Sequence, residues 1–414
     1  MTVTLTRREA DPVDAIASRL DTFLAGEEAA LIEFRRDLHA HPELGNTEFR
    51  TTEQIVRRLS EAGLKPRTLP AGTGVVCDIG QGEYGSGENG RRAAGRLGIR
   101  ADIDALPIQE TAQLAFRSQN PGISHACGHD VHAAAVLGAG LFLAAEARAG
   151  HLVRPVRLIF QPAEEVMPGG ALTMIANNAL DGVGKIIGVH CDPKIEAGRI
   201  GLRVGPLTAA CDKVGVTLSG PGGHTSRPHL TVDLVYALSA LVTQLPAALS
   251  RRVDPRSGLS LVWGAINAGN AVNAIPQEGQ VHGTVRCMDE RAWAEAPDLI
   301  EELVRTVAET YGAKFELDYV RGVPPVINDE AIIEVMRGAG YRAAGPDAVV
   351  PVEQSLGGED FSWYLQQIPG AMARLGVRTP GDATMRDLHQ PTFHADERAI
   401  AVGVRFFAHT ALAG

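Results

Sequence analysis

Val156-Arg157-Leu158-Ile159-Phe160-Gln161-Pro162-Ala163-Glu164-Glu165 runs from a short apolar segment straight into two adjacent carboxylates. Apolar runs of this length bounded by turn residues read as buried strands. The same pattern recurs at residues 74–79, 97–101 and 185–189. Between these runs, 131–149 is Ala/Leu-rich with helical character and 170–179 reads as a further helix. Upstream, 28–38 and 51–62 show helical apolar spacing, the second stopped by Gly63. The Gly-rich, charged stretch 80–95 reads as a loop or hairpin tip. Strands alternating with helices imply a largely parallel sheet covered on both faces, an α/β fold.

Open α/β sheets place their sites at the carboxyl ends of strands. Asp102 and Asp104 follow the 97–101 strand, Glu164 and Glu165 follow 156–160, and His190 ends 185–189. Beyond residue 211 the order changes to strand 214–218, helix 232–245, strands 259–266 and 280–286, helix 291–311 and strand 314–320. That β-α-β-β-α-β order is the ferredoxin-like unit, which folds around its own core. The expected organisation is a first domain in two parts, 1–210 and 323–414, interrupted by an inserted domain at 211–322. Within the last part, 330–344 reads as a helix and a final helix follows His389.

With 414 residues and 45% apolar content, the chain can bury a large core. A net charge of −10 and the lack of a Lys/Arg-rich run argue against a nucleic-acid partner. No apolar run reads as long enough to span a bilayer. Residues 1–24 mix acids and bases without the apolar stretch of a signal peptide. Cys77, Cys127, Cys191, Cys211 and Cys287 are odd in number and scattered, which suits a reducing compartment and a cytoplasmic location. A small-molecule substrate follows by default.

Chemistry concentrates in five segments: His125-Ala126-Cys127-Gly128-His129-Asp130, Glu164-Glu165, Val189-His190, Gly222-Gly223-His224 and Leu388-His389-Gln390-Pro391. A lone Cys is usually a small buried hydrophobe and a lone His a satisfied core residue. In the first segment, however, His125, Cys127, His129, Asp130 and His132 fall within eight residues, too many polar groups for packing alone. Soft and borderline ligands beside paired carboxylates suit Zn²⁺-like ions, with one carboxylate as a ligand and one as a general base. Arg286, at a strand end after Gly283-Thr284-Val285, is a candidate partner for a substrate carboxylate.

These segments, with Arg35-Arg36-Asp37-Leu38-His39-Ala40-His41-Pro42-Glu43-Leu44 and Arg100-Ala101-Asp102-Ile103-Asp104-Ala105-Leu106-Pro107, resemble the aminoacylase-type zinc peptidase superfamily. The similarity is to its N-acyl-amino-acid amidohydrolase branch, which includes hippurate and auxin-conjugate hydrolases, and it covers nearly the whole chain. The resemblance implies a zinc-exopeptidase-like sheet and one or two divalent ions per subunit (Zn, Mn or Co). It implies Cys127, His129, Glu165, His190 and His389 as ligands and Glu164 as the base. It also implies a homodimer through the inserted domain, with His224 reaching the partner's site to stabilise the oxyanion and Asn273 lining the substrate pocket. Three departures stand out. Asp102-Ile103-Asp104 replaces the His-x-Asp of other branches, so Asp104 is expected to support the ligands while Asp102 has no assignment. Val166-Met167-Pro168 intervenes before Gly169, and Thr225-Ser226-Arg227 stands where relatives carry small or apolar residues.

The expected reaction is hydrolysis of the amide bond of N-acyl amino acids. A carboxypeptidase or dipeptidase on the same scaffold is the nearest alternative. A cysteine hydrolase built on Cys127, or a non-catalytic binding or sensor protein, would come from a different class.

Overall fold

The computed structural model describes residues 12–80 and 95–413. The loop expected at 80–95 therefore lies almost wholly outside the described residues. Two compact units emerge, Met1–Val204 with Asn328–Val352 and Tyr364–Gly414, and Gly205–Ile327 with Glu353–Trp363.

The first unit is built on an eight-stranded sheet. Its strands, in spatial order, are Arg67–Thr68, Val75–Ile79, Val156–Gln161, Arg96–Asp102, Val183–Glu196, Gly370–Arg378, Ile200–Leu202 and Val349–Pro351. The four central strands, Val156–Gln161 to Gly370–Arg378, pair in parallel, as βα alternation demands. Val75–Ile79 and Ile200–Leu202 run antiparallel to this block. Every residue of Val156–Gln161 is buried, which explains its unbroken apolar character.

Helix His129–Arg148 lies against the central strands, and Arg398–Leu412 packs on it and on Gly370–Arg378. Pro12–Ala40 and Glu330–Ala344 extend the helical layer. Here one expectation is corrected: His129–Arg148 is long and apolar enough by length and composition to cross a membrane. It owes that composition to the core, since 83% of its apolar window is buried inside the fold.

A second correction concerns His190. Its strand does not end there but continues to Glu196, held by the parallel strand Gly370–Arg378, whose Arg374 pairs with His190. The neighbour on the other side stops earlier, with Arg100 opposite Gly188 as its last pair. By that register His190 lies level with Asp102, at the carboxyl end of Arg96–Asp102, where Gln161 also finishes its strand.

In the second unit, four antiparallel strands run in the order Ser260–Ala268, Glu278–Cys287, Ala210–Ser219, Lys314–Val323. Helices Leu234–Arg252 and Glu290–Thr310 pack on the sheet around Val214, Val216, Leu218, Val281 and Ile300, as the ferredoxin-like order requires. Asp233 and Asp289 cap these helices by accepting from Tyr236 and Ala292 N–H.

Candidate metal centre

The ligand-bearing turn depends on Gly128. It caps helix His129–Arg148 at φ +84°, and a Cβ there would lie 2.8 Å from Cys191 Sγ. Cys127 and His129 consequently flank a tight left-handed corner, and both are buried. From the far end of the chain, His389 N–H donates to the Ala126 carbonyl at 2.8 Å. That bond brings the late segment onto the same turn.

Backbone carbonyls settle which imidazole nitrogen faces the other candidate ligands. His129 Nδ1 lies 2.9 Å from the Asp104 carbonyl and 3.2 Å from its Oδ1, two acceptors, so Nδ1 carries the proton. His129 Nε2 is buried and has no hydrogen-bond partner among the described residues. Likewise His190 Nδ1 donates to the Cys191 carbonyl at 2.8 Å, leaving Nε2 3.4 Å from Cys127 Sγ. His389 Nε2 is 3.2 Å from Glu165 Oε1, and His129 Nε2 stands 3.9 Å from the same oxygen and 4.0 Å from Glu164 Oε2. In the groups Cys127/His129/His190, Cys127/Glu165/His389 and His129/Glu164/Glu165, the candidate ligand atoms lie within 4.8 Å of one another. A backbone contact also holds the carboxylates in place, as Glu165 N–H donates to Asp104 Oδ2 at 3.0 Å.

Asp102, His129 and His132 also cluster. Both nitrogens of His132 are spent, however: Nε2 accepts from Cys191 N–H at 2.7 Å and Nδ1 donates to Asp102 Oδ1 at 2.5 Å. The other oxygen of Asp102 receives Arg100 Nη1 at 2.8 Å, and Arg100 Nε donates to Gln161 Oε1, which also takes the Tyr364 hydroxyl. Asp102, unassigned in the sequence, is thus the hub of a buried network beneath the ligands, and His132 buttresses the strand that carries His190.

The electrostatics call for a cation. Burial alone would lower the His129 imidazole, but the carboxylates of Asp102, Asp104 and Glu165 override it and raise it to about 10. Cys127 is pushed well above the usual thiol range by burial, then by Glu165, Glu164 and Asp102. Burial, reinforced by Arg374, holds His190 neutral. His129 Nε2, 3.5 Å from Asp102 Oδ2, with a neutral His190 imidazole, a thiol and clustered carboxylates, forms a donor set that fits a borderline divalent ion, which would take the place of the proton these carboxylates hold on His129.

The remaining expected residues lie in the second unit. His224 is exposed on the short strand Gly223–His224, which pairs with Ala274–Ile275. Thr225 N–H donates to the Asn273 carbonyl at 3.2 Å, so His224 and Asn273 share one exposed corner. Arg286 is half-buried, with Nη1 donating to the Leu356 carbonyl at 2.9 Å.

Peptidase family M20/M25/M40 matches residues 98–413. The chain belongs to that family. An N-acetyl-L-cysteine deacetylase from Bacillus subtilis is 38% identical over 384 residues, covering 93% of this chain and 88% of its own. An N-acyl-L-amino acid amidohydrolase from Geobacillus stearothermophilus is 38% identical over 357 residues, 86% of this chain and 92% of its own. A Rhodococcus jostii protein with a provisional glutamate–cysteine ligase name is 46% identical over 379 residues. The chain spans about half of that relative, 46% of its length, against 92% of this chain. Among solved structures, a dinuclear metal-binding peptidase of the M20 family from Bacillus subtilis superposes with a TM-score of 0.79 at 33% identity, covering 95% of this chain and 98% of that one. As a member of the family, the protein is a metal-dependent hydrolase acting on C–N bonds.

Proposed function

We propose that the protein is an amidohydrolase that releases the acyl group from N-acyl amino acids. The observation that carries this reading is the convergence of the candidate ligand atoms of Cys127, His129, Glu165, His190 and His389 on one another, with Glu164 beside them. These five would hold one or two divalent ions, of Zn, Mn or Co type. When bound, the metal supplies Lewis acidity for the acyl carbonyl and acidifies the attacking water. Glu164 accepts the proton that water loses as the C–O bond forms, and returns it to the nitrogen as the C–N bond breaks. The products are a carboxylic acid and an amino acid. Asp104 holds His129 and the backbone of Glu165 in register. His224 is assigned to the developing oxyanion, Arg286 to the substrate carboxylate and Asn273 to the pocket wall.

The exposed corner that carries His224 and Asn273 supports a role at a surface. In this reading the region 211–322 forms a homodimer and lends His224 to the partner's site. Five free cysteines support a reducing, cytoplasmic setting. Cys127 does not suit a nucleophile, since burial and its carboxylate neighbours keep the thiol protonated. The test is a panel of N-acyl amino acids and dipeptides assayed with Mn²⁺, Zn²⁺ and Co²⁺. Turnover of N-acyl amino acids above dipeptides is expected, and the reverse order would make the enzyme a dipeptidase.

A further inference from the structure

We infer that Glu48 is a positioning residue that sets the turn presenting Glu164 and Glu165. The inference rests on the catalytic role proposed for Glu164. Helix Phe49–Glu61 begins after Glu48, yet Glu48 makes no side-chain cap. Glu43 takes that task from outside, accepting from Arg50 and Thr51 N–H at 3.0 and 2.8 Å. The Glu48 side chain is therefore released to point inward. It is fully buried, and its Oε1 accepts from Ala163 N–H at 2.7 Å, a contact spanning 115 positions in sequence. Its Oε2 has no hydrogen-bond partner among the described residues.

Ala163 needs such an anchor. It adopts φ +55°, in the left-handed region that a residue with a Cβ enters only at a cost. Both of its backbone groups are tied, the N–H to Glu48 and the carbonyl to Gly170 N–H at 2.9 Å. At position 170 only glycine fits, because a Cβ would run into the Pro162 carbonyl. Two residues beyond Ala163, Glu165 N–H is held by Asp104 Oδ2. Glu164 thus sits between two carboxylate anchors drawn from separate segments, and its direction is set by both. Burial, with the Asp104 charge nearby, raises Glu48 to about 7, so much of it is the neutral acid at neutral pH. Glutamine is then a close mimic of the working state.

The experiment compares E48Q, E48A, E48D and E164Q, with kcat and KM measured on an N-acyl amino acid and normalised to folded, metal-loaded protein. E48Q keeps an acceptor for Ala163 and is expected to retain kcat within about threefold. E48A loses the acceptor, and E48D withdraws it by about 1.5 Å. Both should lose on the order of 10²-fold in kcat, the cost of misplacing a catalytic group by about 1 Å, with KM and metal content little changed. Wild-type kcat in folded E48D, or loss in E48Q equal to that in E48A, overturns the inference. Full activity in E164Q would instead overturn the reading on which it rests.

Discussion

Replacing Asp104 by Asn tests whether the ligands are held in place or merely lie close. Asp104 receives two donors, His129 Nδ1–H on Oδ1 at 3.2 Å and Glu165 N–H on Oδ2 at 3.0 Å. An asparagine has the same shape but only one side-chain acceptor. Whichever way its amide turns, an NH₂ group faces one of the two donors inside a buried site. Leaving such a donor unsatisfied costs about 1–3 kcal/mol. His129 keeps its bond to the Asp104 carbonyl at 2.9 Å, so the ring is loosened rather than released. The expected loss in metal affinity is therefore roughly 10–100-fold, the range typical when a group supporting a ligand is removed. The assay titrates apo-protein with Zn²⁺ or Mn²⁺ against a competing chromophoric chelator, with circular dichroism to verify folding. A folded D104N variant that binds metal as tightly as the wild type would refute the claim that Asp104 orients both ligands.

Glu164→Gln is expected to keep its metal and lose at least about 10²-fold in kcat, because an amide cannot accept the water's proton. Glu165→Gln should instead weaken metal binding in the same titration, and a reversal of the two effects would exchange their roles. His409 is buried, its Nε2 has no hydrogen-bond partner among the described residues, and burial assisted by Arg342 and Arg405 lowers it to about 4. A depressed histidine favours the neutral folded form, so its contribution is intact above pH 6.5, its ordinary value, and is lost as pH falls towards 4. This loss amounts to at most about 3.5 kcal/mol at roughly 1.4 kcal/mol per pH unit, and urea denaturation of His409→Leu between these limits should show a flatter pH dependence. For assembly, inactive His224→Ala subunits mixed with inactive Glu164→Gln subunits should regain activity on exchange. Confirmed exchange without activity would mean that His224 does not act on the partner's site.

What the sequence revealed, and what it concealed, follows the range of each interaction. The strand 156–160 and the carboxylates after it were legible because a buried run and a charged pair are properties of neighbouring residues. The His-Cys cluster was legible for the same reason. Gly370–Arg378 was not read as a strand, although it is the parallel partner of Val183–Glu196 and eight of its nine residues are buried. Its Gly-Ala-Met-Ala start has little intrinsic preference for extended structure, and its conformation comes from strands far away in sequence. Asp102 stayed unassigned because its partners, Arg100 and His132, gain meaning only when strand and helix pack. Glu48 was missed because its decisive contact lies 115 residues away and because Glu43 had already taken its capping task. Ligand identity, by contrast, follows from residue type at a strand end or turn, but ligand readiness does not. The Nε2 atoms of His129 and His190 face the other candidate ligands because Nδ1 is held by the carbonyls of Asp104 and Cys191, and any residue would present a carbonyl at those positions. The donor set can therefore be proposed from side chains, whereas the orientation that makes it a site is imposed by the backbone, and only the fold displays it.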